Sequence, residues 1–432
     1  MLKHSRYIAV PIAVAATIAF AACSSSAPST TTSTKPAEPT GTLTVAAVLN
    51  DQPALQPIVA AFEKEHPGVT ITLTSADTSP YQTTLQTQLS ANNGPDVFYT
   101  YAGAGNAAGE SLLAKAGYLK DLSSESFAAK IPKGIQKLAQ YKGKTYVLPM
   151  TVGGIGMVFN MDALKSAGLK VPTTYKGVLQ LCSDAKAKGK VAFALGAATP
   201  SNTQFIDYAS IPSLVYAKDA NFNTEMANGK ATFAGSAGWK TAVAINKTML
   251  EAGCFENSPL GVLYPDAAKM VAGGQALAIV QTQGSIAQLK LDAPSATFQM
   301  WPFPTTNNPD DTYMASSIGA EYALNAHAKN PGLAQEFFDY LAQPAQQNAY
   351  AMAANSVPAI PNDKSTTPDT IAQIAKYLKA GKTFPYPDPF WPNAKIQAAH
   401  LSGIQQLLSG QGSVATVLKG MDAAYAQGGV TG

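Results

Sequence analysis

The sequence predicts an α/β protein, and three observations predict it. Between residues 43 and 101 the chain alternates strand, helix, strand, helix, strand, the order that builds a parallel sheet flanked by helices. Residues 143–164, GKTYVLPMTVGGIGMVFNMDAL, form two apolar, β-branched runs parted by Pro149 and by Gly153, Gly154 and Gly156. Glycines there suit a turn or close backbone approach, so the stretch reads as chain leaving one body and entering another. Finally, 432 residues at 46% hydrophobic content suffice for two or three cores, while only 13% of residues are charged.

Each element has its own reason. Residues 43–49 are a strand by composition. Pro53 opens a helix that carries Leu55, Ile58, Val59 and Phe62 on one face, and Pro67-Gly68 stops it. Residues 69–73 alternate as a second strand, residues 81–90 make an amphipathic helix, and Gly94-Pro95-Asp96 leads into the strand at 97–101. Asp162 stands where an N-cap belongs, before a short helical pattern. Residues 173–189 read as a helix ending on glycine, followed by a strand at 191–195.

Residues 1–22 read as an export signal: Lys3 and Arg6 precede an uncharged apolar run that is short for a spanning helix. The run ends in Phe20-Ala21-Ala22-Cys23, which resembles a bacterial lipoprotein box apart from Phe20, where leucine is usual. That resemblance implies cleavage before Cys23 and its diacylation, placing the protein on the outer face of the bacterial cytoplasmic membrane with lipid as its only anchor. Residues 23–41, rich in Ser, Thr and Pro, bury almost nothing and read as a tether of roughly 25 Å.

The charge balance excludes several classes. Without Lys3 and Arg6, 28 basic side chains face 27 acidic ones, a net of +1. No concentrated basic face points to nucleic acid, and no polybasic cluster points to a membrane surface. Cys182 and Cys254 have the opportunity to form a disulfide in an exported protein, or remain two buried thiols. Neither has a neighbour at metal-ligand spacing, so no metal and no cofactor is expected. Nucleophile-elbow, zincin, P-loop and dinucleotide motifs are absent, and His4, His66, His327 and His400 are scattered. His66 reads as a solvated helix-end residue, and Asp310-Asp311 as a solvated loop rather than an acid/base pair. An enzyme is not expected.

The order of strand, FEKEHPGVTI, helix and GPDVFYTYAG resembles the N-terminal lobe of bacterial extracellular solute-binding proteins, in the carbohydrate-binding group that feeds ABC importers. GKTYVLP followed by VFNMDAL matches too. Residues 266–284, 300–304, 313–324, 329–355 and 400–427 fit the family's later elements in order, so the resemblance covers nearly all of residues 42–427. It implies a two-lobe periplasmic-binding-protein-like fold, each lobe a mixed, mostly parallel sheet flanked by helices. Lobe one would be residues 41–151 plus 319–363, and lobe two residues 152–318 plus 364–432. Crossings near Thr151 and Ile318 would form a hinge that closes around ligand. A monomer delivering solute to permease subunits is implied.

Candidate ligand-binding residues follow from strand ends, where this architecture aims its contacts. Trp391, in PFWPNA, resembles the segment where a tryptophan stacks on sugar, with Pro387 and Pro389 stiffening the loop; the alternative is a tryptophan packed under a proline-rich loop. Asn50, Asp51 and Gln52 end the first strand, although Asp51 serves equally as a helix cap. Tyr99 and Tyr101 flank Thr100, and alternation turns one of the two rings toward a cleft. Thr151 lies at the first crossing, with Ser316 and Ser317 at the return. Gln204, Asp207 and Tyr208 occupy a loop that carries aromatic contacts in the family, and Gln281 and Gln283 end a strand before Gly284. Asp96 is assigned to structure. The chain departs from the family at Gly284-Ser285-Ile286, where an aromatic is common, and at Gly153, where a side chain can enter the cleft.

The expected function is therefore a receptor that captures a sugar or short oligosaccharide for a permease. The same fold also suits a polyol, a phosphorylated polyol, an amino compound or an ion, but few Lys or Arg lie in the candidate loops. A secreted hydrolase and an adhesive lipoprotein are the remaining classes.

Overall fold

The structure, a computed structural model, describes residues 39–429. The export signal, Cys23 and all but the end of the tether lie outside the described residues. Within them, no helix is long and apolar enough to cross a membrane.

Strand β1 (Gly41–Val48) pairs in parallel with β2 (Val69–Ala76) and with β3 (Val97–Thr100), and helices α1 (Gln52–Glu65) and α2 (Thr78–Ser90) make the crossovers. Helix α1 buries Leu55, Ile58, Val59 and Phe62, the face its spacing requires. Asp96 accepts from the Thr44 amide and hydroxyl and from the Lys329 amide, tying β3 to β1 and to the chain after β8 below.

Residues 143–164 do not form two strands around a joint. Val147 to Asn160 is one continuous strand, β4 (Val147–Asn160). Its glycines permit close approach rather than a break: a Cβ on Gly153 would sit 2.2 Å from the Gln283 carboxamide, and one on Gly156 would sit 2.4 Å from the Trp301 carbonyl oxygen. Gln283 occupies the space over Gly153 and accepts from the Gly154 amide at 2.8 Å. The helix that follows is capped by Asn160, which accepts from the Ala163 amide, and Asp162 accepts instead from the Thr297 amide. Asn160 takes the cap because the strand runs right up to it.

Strands β5 (Val191–Ala194), β6 (Ala276–Thr282), β7 (Phe298–Trp301), β8 (Met314–Leu324), β9 (Val357–Pro358) and β10 (Thr383–Phe384) complete a ten-stranded mixed sheet. Its order is β2-β1-β3-β8-β4-β6-β5, with β7 and β9 also paired to β4 and β10 to β8. One sheet thus replaces the expected sheet per lobe. A strand as long as β4 spans about 45 Å and serves both ends.

The buried apolar side chains gather in separate cores. One combines residues 43–150 with residues 318–354, including Phe62, Phe98, Tyr322 and Phe337. A second combines Phe159, Phe193 and Trp239 with Trp391 and the C-terminal helices α3 (Lys395–Leu408) and α4 (Val414–Tyr425). A third, smaller cluster lies around Val158, Val271 and Ile374. Between the first two, antiparallel β4 and β8 shift register around Gly319 and Ala320, opposite Thr151. Cys182 and Cys254 are joined, closing a loop with a sequence separation of 72 residues. In the chain-entropy account a loop of that size contributes about 4 kcal/mol.

Candidate functional site

A cavity of about 110 Å³ opens where the first core meets the second. Asn50 and Asp51 reach it because β1 ends at Val48 and the chain turns through a 3₁₀ segment, Leu49–Asp51, before α1. Tyr99 and Tyr101 both line it, where only one of the two was expected to: alternation has a period of two, so residues i and i+2 share a face, and the two rings meet edge to face at 5.1 Å. Thr151, Gln281 and Gln283 close the floor, and Gln204 and Tyr208 supply the far wall.

The polar groups of this wall are mostly committed. Gln281 donates to Asn202 and accepts from the Thr282 amide, and Gln204 accepts from Gln397 at 3.1 Å. Tyr99 donates to the Gly319 carbonyl oxygen at 2.9 Å. Asp51 does not cap α1; its carboxylate accepts from the hydroxyls of Tyr322 and Tyr350. Burial lifts its pKa to about 6, a rise that those two hydroxyls limit. Thr151 Oγ1 is buried without a partner.

Five expected residues lie off this cavity. Trp391 is 2% exposed and packs edge to face on Tyr208 and Phe233, so Tyr208 stands between it and the cavity. The 3₁₀ turn Asp388–Phe390, flanked by Pro387, delivers Asp388 to the cavity and carries Trp391 past it. Trp391 instead lines an outer groove with Phe390 and Tyr425. Asp207 is fully buried, accepting from Asn246 at 2.6 Å and pairing with His400 at 2.5 Å. Gln52 accepts from the Ser75 hydroxyl, and Ser316 donates to the Gly153 carbonyl oxygen. Ser317 is buried opposite Gly153 in the sheet. Ile286, where an aromatic was expected to be missing, is buried in the core and faces no cavity.

Sequence reasoning missed Asn106, Tyr386 and Asp388. Asn106 follows Gly103 and Gly105 in a loop without periodicity, and Asp388 sits between two prolines, so neither carries a pattern. They meet across the molecule: Asn106 donates to Asp388 at 2.6 Å and accepts from Gln397 at 2.7 Å. The other Asp388 oxygen, Oδ1, is buried at the cavity without a partner, and burial lifts its carboxyl to about 7.

A profile of the family described as bacterial extracellular solute-binding protein matches residues 46–348. The chain belongs to that family. It is a binding family rather than an enzymatic one, in keeping with the absence of catalytic motifs. Among similar proteins are the multiple sugar-binding protein of Streptococcus mutans, 24% identical over 74% of this chain and 76% of that protein. The maltodextrin-binding protein MdxE of Bacillus subtilis is 25% identical over 79% of this chain and 78% of its own length. Among solved structures, RafE in complex with raffinose superposes with a TM-score of 0.72 at 20% identity, over 90% of this chain and 99% of that one. The apo-form of RafE from Streptococcus pneumoniae scores 0.61, at 20% identity over 90% and 98%. These likenesses place the chain in the α/β periplasmic-binding-protein fold.

In this solute-binding protein the loop holding Asn106 and the turn holding Asp388 touch backbone to backbone. A Cβ on Gly103 would fall 2.0 Å from the Pro389 carbonyl oxygen, and one on Gly105 2.0 Å from that of Asp388. Only glycine lets the two segments approach this closely.

Proposed function

We propose that this protein is the sugar- or oligosaccharide-capturing receptor of an ABC importer, holding its ligand in the cavity between two lobes and delivering it to permease subunits. The observation that carries the reading is the composition of that cavity. Aromatic rings of Tyr99, Tyr101, Tyr208 and Tyr386 alternate there with carboxamides and carboxylates. Such a mixture suits a sugar, whose C–H faces lie on rings and whose hydroxyls need acceptors. The sugar-binding relatives support the same ligand class. The cavity wall carries carboxylates and no Lys or Arg, which argues against a phosphorylated polyol.

Lobe one comprises residues 41–151 with 319–363, and lobe two residues 152–318 with 364–432, in agreement with the membership of the two large cores. The hinge is the stretch of β4 and β8 around Thr151 and Gly319, where the register shift weakens the ladder. Cys23 carries the lipid, and residues 24–41 let the monomeric body stand off the outer face of the cytoplasmic membrane.

Ligand that binds only the folded state raises the melting temperature by linkage. A thermal-shift screen of mono-, di- and oligosaccharides, polyols and amino acids is expected to produce shifts with saccharides. A shift with another solute and none with any saccharide would overturn the carbohydrate reading.

A further inference from the structure

The charged groups of the cavity are all of one sign. Asp51 and Asp388 line it, Glu321 lines the side pocket beyond Tyr101 and Tyr386, and Asp77 lines the side pocket beyond Asn50. No Lys, Arg or His lines any of the three, and no arginine follows Arg6 anywhere in the chain. The four acids differ in what holds them. Asp51 is fed by two phenol hydroxyls, whereas Asp388 is 5% exposed and receives one side-chain donor, Asn106 on Oδ2, besides its own backbone N–H. Its Oδ1 is buried and has no side-chain donor, on a residue that lines the cavity.

A buried carboxylate oxygen accepts and cannot donate when ionised, so it requires a hydrogen-bond donor from the ligand. A neutral sugar can supply a hydroxyl, but leaves the surplus of negative charge uncompensated. A ligand ammonium supplies both the donor and the charge, and in a water-poor cavity opposite charges attract far more strongly than in bulk water. We infer that the preferred ligand is an aminated saccharide, an amino sugar or a short oligosaccharide containing one, whose ammonium group donates to Asp388 Oδ1. The inference rests on the saccharide reading above and narrows it.

The titratable groups near Asp388 are Glu321, which shares the side pocket and whose carboxyl burial pushes well above its ordinary value, and the phenols of Tyr101, Tyr208, Tyr216 and Tyr386, all of which burial pushes up and keeps protonated. Behind Tyr208, His400 is already paired with Asp207. Of the two carboxyls at this end, only Asp388 lines the main cavity, so it is the one a bound ligand meets. Its carboxyl ionises at about 7 in the ligand-free protein, and an ammonium beside it favours ionisation. Affinity for an aminated ligand then falls as pH is lowered through that value, while a neutral analogue responds much less.

The test is calorimetric titration of the whole mature protein with matched sets. Glucosamine, galactosamine, mannosamine and the β-1,4-linked glucosamine disaccharide are each compared with the N-acetylated form and the hydroxyl parent. The expected result is that at least one aminated member binds on the order of ten-fold or more tightly than both of its neutral counterparts. Asp388→Asn, which keeps the bond to Asn106 available, is expected to abolish that preference. Neutral members binding as tightly as the aminated ones, or a preference that survives Asp388→Asn, would overturn the inference and leave the saccharide reading standing. No binding by any saccharide, neutral or aminated, would overturn both.

Discussion

Asp51 and Asp388 enter one cavity from the two sides, and their surroundings treat the same side chain differently. Asp51 comes from the end of β1 and accepts from Tyr322 and Tyr350, residues of the first core. Asp388 comes from a proline-flanked turn against the second core, accepts from Asn106, and leaves Oδ1 bare. Burial raises both, to about 6 for Asp51 and about 7 for Asp388, the less satisfied carboxyl rising further. A carboxylate whose acceptors are filled by its own protein is part of the scaffold. One left with an open oxygen is waiting for a ligand. The difference is a matter of partners rather than of residue type or exposure.

The largest expected effect breaks the Asp51 side. Asp51→Ala leaves the buried Tyr322 hydroxyl without its acceptor and the Tyr350 hydroxyl with only the Tyr322 oxygen at 3.4 Å, and each such loss costs about 1–3 kcal/mol. Denaturant unfolding should show a destabilisation of about 2–5 kcal/mol on that basis. Asp388→Ala, by contrast, removes a buried, half-satisfied carboxyl, which offsets the loss of the acceptor for the buried Asn106 amide, so ligand-free stability should fall less than in Asp51→Ala while ligand binding weakens. Equal destabilisation by the two substitutions would collapse the comparison.

The next effect is on pH. Both carboxyls titrate above their ordinary value of 3.8 in the folded protein, so the folded state holds protons that the unfolded chain releases. Their contribution to stability is complete below 3.8 and is lost as pH rises through about 6 for Asp51 and about 7 for Asp388. Ligand-free protein should therefore become less stable from about pH 4 to about pH 7, with Asp388 alone contributing on the order of 4 kcal/mol. Melting curves across that range should flatten more with Asp388→Asn than with Asp51→Asn. A slope that Asp388→Asn leaves untouched would mean its carboxyl is not the buried group responsible.

A third effect probes how Asp388 is held. Gly105→Val places a side chain against the Asp388 carbonyl oxygen, where a Cβ alone would come within 2.0 Å. The two segments must separate, at a cost of about 1–3 kcal/mol as for other overpacked contacts. Ligand affinity should fall correspondingly, and small-angle scattering should give a larger radius of gyration in the presence of ligand than for the unaltered protein. An unchanged affinity would show that Asn106 and Asp388 need not meet for binding.

The two sides were not equally legible from sequence. Periodicity locates what is regular: the α1 face, the β1-β2-β3 order and the ends of those strands, hence Asn50, Asp51, Tyr99 and Tyr101. Gln204, Tyr208, Gln281 and Gln283 also line the cavity, drawn from the ends of elements. Asn106, Tyr386 and Asp388 sit in turns set by glycine and proline, where side-chain direction depends on contacts distant in sequence. Trp391 shows the same limit from the other direction. A tryptophan beside prolines has the composition of a stacking platform, but its ring is spent on Phe233 and Tyr208. The glycines of β4 misled for a related reason. Sequence registers a missing Cβ without saying what fills the space, and here it is the side chain of Gln283 over Gly153 and the Trp301 carbonyl oxygen over Gly156.

The smallest expected effect isolates the carboxylate from its neighbourhood. Gln52 adjoins Asp51 in sequence, yet its side chain turns to Ser75 and Gln56 on the face of α1 away from the cavity. Gln52→Ala removes those bonds at the molecule's surface, where such changes stay within about 0.5 kcal/mol. Its ligand affinity should match that of the unaltered protein in the same titration that exposes Asp388→Asn. A clear loss of affinity in Gln52→Ala would place this part of the chain at the ligand after all, and with it would fall the argument that hydrogen-bond partners, rather than position along the strand end, decide which residues serve the site.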